Sequence, residues 1–387
     1  VRDTSRVVAG RGNVPRWLAL VGIILLSRLV STAIMLWFAQ AQAENPWTSA
    51  HPDLFEFSRM WDSHWYRIIA ETSYPSELPI GDDGRIGENA WAFLPVFPLL
   101  VRAVMVLTSL PFSVVSVVVS TVSFACFVFV ADRFFRRIVG DSVALAAVAI
   151  IAFGVVAPIF QVGYAESLGM LFLGLVLVGV SEKRWWLVAL AVPLAALTRP
   201  VGVPLALAIG ILALLSWRSG RDRRPLMWLT VLAGISALAW PGIAWFTTGR
   251  PTAYLETELA WRRPYVGEKA HGWGSGWWDS AVWWFHDAAP WVIGGLALVV
   301  IVIAVLPSTR LLGAVSLSWS GAYLFYLVMV LFPQSSIFRL FLPMFPIAGV
   351  IARKRFATVI AIAAGIVGQF FWVQWCWSVE GSDWTPP

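Results

Sequence analysis

The chain has 387 residues, of which 59% are hydrophobic and only 13% charged, about half the charged share of a soluble domain. With a mean hydropathy of +0.74 it cannot face water on all sides, so the composition excludes a soluble globular protein and requires a polytopic membrane protein. The formal charge of +6 would suit nucleic acid, but the basic residues sit in short loops between apolar runs, where they read as orientation signals, and no nucleic-acid partner is expected.

Cys126 and Cys376 lie in or at the end of apolar runs, which argues against a disulfide framework or a thiolate metal site. No metal and no cofactor is expected. The stretch "RVVAGRGNVPR" is basic, and the apolar run after it is a full span without a cleavage site, so no signal peptide is expected. That first span covers about residues 17–39. Arg2, Arg6, Arg11 and Arg16 precede it and place the N-terminus in the cytoplasm. Arg28 falls mid-span in "LLSRLVS", where a central arginine costs a few kcal/mol on insertion scales. It must face a cavity or a structural partner, a buried acid or carbonyl.

Residues 40–90 form a long polar segment on the extracytoplasmic side. Most of its acids read as solvated, but Asp62 is flanked by Trp61, Trp65 and Tyr66. "FSRMWDSHWYRIIAE" predicts a short amphipathic helix with Trp61, Trp65, Ile68 and Ile69 near one stripe, lying in the membrane plane. A carboxylate there can acquire a general-base pKa, and an interfacial N-cap or loop acid is the competing reading. The next apolar stretch, "AFLPVFPLLVRAV", carries Pro95 and Pro98 and reads as a broken or re-entrant element.

Further apolar runs start near Ser113, Ser142, Ala165, Trp185, Val201, Leu226, Pro290, Leu311, Ile337 and Phe356, which makes eleven spans. This threading puts Arg133, Arg136 and Arg137, then Lys183 and Arg184, "WRSGRDRR", Arg310 and "ARKR" (352–355) all inside. A rival lets 93–110 cross and merges 185–216, but leaves five basic residues outside; charge favours the first. Glu166, in "GYAESLGM", stands at the start of a span, where it either caps the helix or faces a cavity. Arg199, in "ALTRPVG", sits where Pro200 breaks the helix and frees backbone N–H groups, a natural phosphate seat. Arg339, in "SSIFRLFLPMFP", has a similar place at the outer end of another span, with snorkelling to lipid phosphate as the alternative. A second outer loop over 247–289 is dense in tryptophan, which suits an interfacial belt and a sugar- or lipid-binding surface alike. There is no internal repeat, no Walker A motif, no GxGxxG after a strand and no HExxH. The whole of 1–387 reads as one transmembrane domain.

Four stretches, "RMWDSHWYRIIAETSY", "NAWAFLPVFPLLVR", "GYAESL" and "LTRPVG", occur in an order and spacing that resemble the PIG-V-type family of mannosyltransferases. Its eukaryotic members add the second mannose of GPI anchors. The resemblance covers about the first 200 residues. The last third matches mainly through "FRLFLPMFP", which looks like the Arg-x-x-x-Pro-x-x-Pro element of GT-C enzymes. Ser73 stands where the family usually has glycine. The resemblance implies an all-α GT-C membrane glycosyltransferase, here a bacterial member. It would take mannose from a polyprenyl phosphate on the outer face and transfer it with inversion to a lipid, lipoglycan or other glycan. By carry-over Asp62 would be the base and Glu166, Arg199 and Arg339 would surround the phosphate or acceptor. Trp61, His64, Tyr66, Tyr164 and Arg28 complete the expected binding set, with His64 shaping the acceptor site rather than taking its proton. Membrane lipids, the lipid-linked donor and a glycan or glycolipid acceptor are the implied partners. A lipid-linked sugar flippase or a non-catalytic scaffold are the rival readings.

Overall fold

The structure is a computed structural model and describes residues 15–217, 220, 222–263, 274–379 and 386–387. Arg2, Arg6 and Arg11, Arg218 and Arg221 of the third basic loop, and 264–273 of the tryptophan-dense loop lie outside the described residues. Among the described residues the chain is helical throughout, with one isolated bridge between Ile80 and Ile86. Six helices are long and apolar enough to cross a membrane, and six shorter apolar helices accompany them. That pattern follows from a chain whose backbone must satisfy its own hydrogen bonds in lipid.

The first long helix, α1 (Arg16–Ala41), leads into the short α2 (Leu54–Phe57) and α3 (Asp62–Thr72). The expected amphipathic helix is thus present: of the expected stripe Ile69 is buried and Trp61, Trp65 and Ile68 are half-buried, and Ser63, Tyr66 and Ala70 join the buried face. Trp61 has φ +58° and stands outside the helix as its N-cap.

The proline-containing segment becomes α4 (Val96–Thr108), preceded by a 3-10 turn over Ala90–Ala92. The Val96 N–H donates to Leu197 O at 3.1 Å and Arg102 Nε to Ala70 O at 2.6 Å. After α4 the chain turns into α5 (Phe112–Val139), whose first residues pack with Ala165 and Leu168.

Next come α6 (Asp141–Ala152), a buried 3-10 segment at Ala157–Gln161, and α7 (Glu166–Ser181). Gly154 and Pro158 interrupt the helix here, and Arg28 occupies the break. Its guanidinium donates to Ala157 O (2.9 Å), Gln161 Oε1 (3.1 Å) and Ala152 O (3.3 Å), and stacks over Phe124 at 4.5 Å. The mid-span arginine thus replaces the N–H donors that the break removes, which offsets its burial cost. The Arg355–Cys376 helix packs on the same break. A Cβ at Gly365 would lie 2.2 Å from Phe153 O, so only glycine permits this approach.

The remainder is α8 (Trp185–Ala196), α9 (Gly202–Leu215), α10 (Arg223–Thr248) and α11 (Ala253–Ala260), then helical segments at Gly276–Val305, Gly313–Val330, Ile337–Leu340, Leu342–Ile351 and Arg355–Cys376. Much of the expected 247–289 loop is therefore helical: α11 and Gly276–Phe285 both fall within it. Ion pairs gather the basic loops at one end: Arg133, Arg137 and Arg184 on Glu182, Arg16 and Arg136 on Asp132, and Lys183 on Asp222. Glu182 follows the last residue of α7 and Glu166 is the first, so about 24 Å of helix separates this basic end from Glu166.

Candidate active site

Asp62 is placed by three separate parts of the chain. The indole N–H of Trp61 donates to Cys376 O at 2.8 Å, and its ring lies 4.6 Å from that of Trp47. The left-handed backbone at Trp61, which costs about 1–2 kcal/mol, is held by this anchorage and turns Asp62 into the first helical position. The Asp62 backbone N–H then donates to the Tyr164 hydroxyl at 3.2 Å, and that hydroxyl in turn donates to Met60 O at 3.5 Å.

The Asp62 carboxylate does not cap its own helix. Its Oδ2 accepts from Arg339 Nη1 at 2.5 Å, and the same Nη1 donates to Glu166 Oε1 at 2.9 Å. Arg199 Nη2 lies 3.3 Å from that Glu166 oxygen. Acid and base thus alternate in a row: Asp62, Arg339, Glu166, Arg199. The side chain of Glu166 is 3% exposed, that of Arg339 11% and those of Asp62 and Arg199 19% each, so the row is shielded at its centre and more accessible at both ends. Two of its buried atoms, Glu166 Oε2 and Arg339 Nε, have no hydrogen-bond partner among the described residues. An unused acceptor and an unused donor in a low-dielectric site are costly unless a ligand meets them.

Helix breaks put the other three members in place. Glu166 opens α7 directly after the turn at Gly163 and Tyr164, so its charge also meets the helix N-terminus. Arg199 lies in the gap between α8 and α9, where Pro200 prevents continuation. Arg339 belongs to the single turn Ile337–Leu340, which Pro343 and Pro346 stop from extending. Gly169, one turn into α7, makes room for Arg199: a Cβ there would be 2.8 Å from Arg199 Cγ. Gly169→Ala should therefore push Arg199 away from Glu166, and a structure of the variant checks this: a retained 3.3 Å pair would show that Arg199 gives way without leaving Glu166.

Three members of the row, though not Asp62, line a cavity of about 360 Å³. Glu166, Arg199 and Arg339 line one part of it, and Tyr254, Glu258 and Arg262 of the α11 region, with Tyr323 and Tyr326, line another. Met170, Leu173, Leu327 and Leu331 supply apolar walls. Tyr254, Glu258 and Arg262 escaped the sequence reading, although their i, i+4, i+8 spacing places them on one helical face. The tryptophan-dense stretch that marks this loop in the sequence begins only at Trp261, after Tyr254 and Glu258.

The other expected residues fall around this centre. Tyr164 is fully buried beneath Asp62, with Arg339 Cζ 5.5 Å from its ring centroid. Tyr66 is 1% exposed and packs edge-on to Phe93 and Phe97. His64 is partly buried beside Trp65 and is not among the cavity-lining residues. Burial, then Arg67, holds its imidazole below the ordinary histidine value. Arg28 belongs to the α6–α7 break, not to the cavity. Among the described residues no group of three or more His, Cys, Asp or Glu side chains converges to hold a metal ion.

The architecture is that of the all-helical GT-C membrane fold. ArnT from Cupriavidus metallidurans, solved bound to undecaprenyl phosphate, is similar with a TM-score of 0.50 at 14% identity, covering 86% of this chain and 59% of the ArnT chain. The oligosaccharyltransferase of Archaeoglobus fulgidus, in a structure with zinc and sulfate, gives a TM-score of 0.44 at 13% identity, over 94% of this chain and 54% of its own. The chain therefore spans little more than half the length of these solved proteins. No protein-family model and no curated protein sequence matches it.

Proposed function

We propose that this protein is an inverting membrane glycosyltransferase that moves a hexose from a polyprenyl phosphate to an acceptor hydroxyl. The observation that carries the reading is Arg339, one guanidinium shared by two carboxylates, Asp62 and the buried Glu166, with Arg339 and Glu166 themselves lining a partly apolar cavity. Arg199 and Arg339 are suited to hold the donor phosphate, and the apolar walls to hold the first part of its prenyl chain. The likeness to ArnT, with its undecaprenyl phosphate, supports a lipid-linked donor. Mannose as the sugar, and kinship with PIG-V-type enzymes, rest on the four sequence stretches.

In this mechanism the acceptor oxygen attacks the anomeric carbon while its proton passes to Asp62. The bond from that carbon to the phosphate oxygen breaks, and its electron pair leaves on the phosphate. A positioned carboxylate contributes about 10²–10⁴-fold. The two arginines stabilise the charge that grows on the departing phosphate. Phosphate entry also competes with Asp62 for Arg339, so donor binding frees the base. No nucleotide is needed, because the leaving group is already activated. Transfer from radiolabelled polyprenyl-phosphate mannose by purified protein in detergent tests the reading. Protein that binds this donor but never transfers from it would sink the enzyme hypothesis.

We place the Asp62 end outside the cytoplasm and the basic end inside, with eleven spans and α4 not crossing. The gathering of Arg133, Arg137, Lys183 and Arg184 at the end of α7 far from Glu166 supports this orientation. A cysteine at Ser181→Cys should react with impermeant reagent only after the membrane is opened; labelling on intact cells would reverse the orientation.

A further inference from the structure

We propose that Glu258, with the hydroxyls of Tyr254 and Tyr326, forms a subsite that binds the ring hydroxyls of the donor's sugar. The inference rests on the lipid-linked donor reading above and adds a second, separate part to the site.

Glu258 lines the same cavity as Arg199 and Arg339 but takes no part in the row that ends at Asp62. It stands apart from the groups to which the proposed mechanism gives proton removal and phosphate binding. The face that carries it is held rigidly. Asn89 Nδ2 donates to Thr257 Oγ1 at 2.9 Å in a buried bond, and Trp261 packs edge-on to Trp65 and Phe93 at 5.5 and 5.7 Å. Arg262 Nη1 donates to Val330 O at 3.0 Å, which ties the end of α11 to the Gly313–Val330 helix. Tyr254 stands one turn before Glu258 on the same helical face and lines the cavity with it. Of the two tyrosines on the facing helix, Tyr323 already donates to Leu340 O at 2.8 Å, whereas Tyr326 lines the cavity beside it.

The chemistry of this group selects its ligand. A carboxylate only accepts hydrogen bonds and repels a phosphate, so this part of the cavity does not suit the lipid phosphate itself. Two neighbouring hydroxyls of a sugar can both donate to one carboxylate, while a tyrosyl hydroxyl both donates and accepts. Leu255 and Leu259 leave an apolar wall for the C–H face of a ring. Burial pushes the Glu258 carboxyl above the ordinary range, against the pull of Arg262, Tyr254 and Arg199. A charged carboxylate in such a place gains from hydroxyl donors that replace its lost water.

Binding of two lipids to the purified full chain in detergent tests the subsite: bare polyprenyl phosphate and polyprenyl-phosphate mannose. Wild-type protein should bind the sugar-bearing lipid more tightly. Glu258→Ala should weaken that lipid about tenfold and leave the bare lipid unchanged, with Tyr326→Phe showing a smaller loss of the same kind. Glu258→Gln, which keeps the size of the side chain, carries the comparison if the alanine variant melts early. Equal weakening of both lipids, or of neither, would overturn the subsite while the donor reading stands. Failure of the wild-type protein to bind either lipid would overturn both.

Discussion

Asp62→Asn should reduce transfer by about 10²–10⁴-fold while the protein still binds the lipid-linked donor. The substitution keeps the shape of the side chain and its place at the start of α3, where the Asp62 backbone N–H meets the Tyr164 hydroxyl. It removes the charge that accepts the proton. It also removes one of two anionic partners of Arg339, the other being Glu166. Donor affinity should therefore hold or rise, because phosphate no longer competes with Asp62 for the guanidinium. This split between binding and turnover distinguishes a base from a structural acid. Single-turnover transfer and equilibrium donor binding, measured on the same preparation, check it. A variant with wild-type turnover would remove Asp62 from the chemistry. His64→Gln provides the internal comparison, with transfer within about an order of magnitude of wild type if His64 does not take the proton.

Arg339→Ala should be severe in a different way, because it costs stability as well as activity. Arg339 touches both Asp62 and Glu166, and the Glu166 side chain is only 3% exposed. Removing one partner of a buried ion pair costs about 3–5 kcal/mol, since the remaining charge stays buried without compensation. Arg199, at 3.3 Å from Glu166, takes up part of that deficit. The melting temperature in detergent should fall clearly, and donor use should fall with it. Combining Arg339→Ala with Glu166→Gln should restore part of the stability, because the most buried stranded charge is gone while the more exposed Asp62 and Arg199 lose their partners, but none of the activity. That non-additivity is the signature of a coupled pair. If the double variant melts as low as Arg339→Ala alone, the loss comes from packing against Tyr164 and not from charge.

Much of this protein was written in local sequence. Apolar runs of span length define the helices because a lipid-exposed backbone has no other way to satisfy its hydrogen bonds. Asp62 stood out because aromatic residues surround it within four positions. Arg199 and Arg339 stood out because prolines beside them end helices and leave a charge where the chain turns. What local sequence does not carry is partnership. Asp62 and Arg339 are 277 residues apart, and Arg339 and Glu166 are 173; nothing in either neighbourhood specifies the other. Arg28 shows the same limit, since its partners are mostly backbone carbonyls exposed by a break 124 to 133 residues away. Trp61 stands outside α3 and reaches Cys376 O, a contact that exists only once the last helix has packed. Glu258 is of the same kind: only the packing of its helix against Gly313–Val330 brings it to the cavity of Arg199 and Arg339. By itself, then, the sequence determined a polytopic helical membrane protein and the residues whose burial demands a reason. Tertiary packing alone decided which charges meet: a buried ion is tolerated only beside its counter-ion, and that neighbour is a property of the folded bundle.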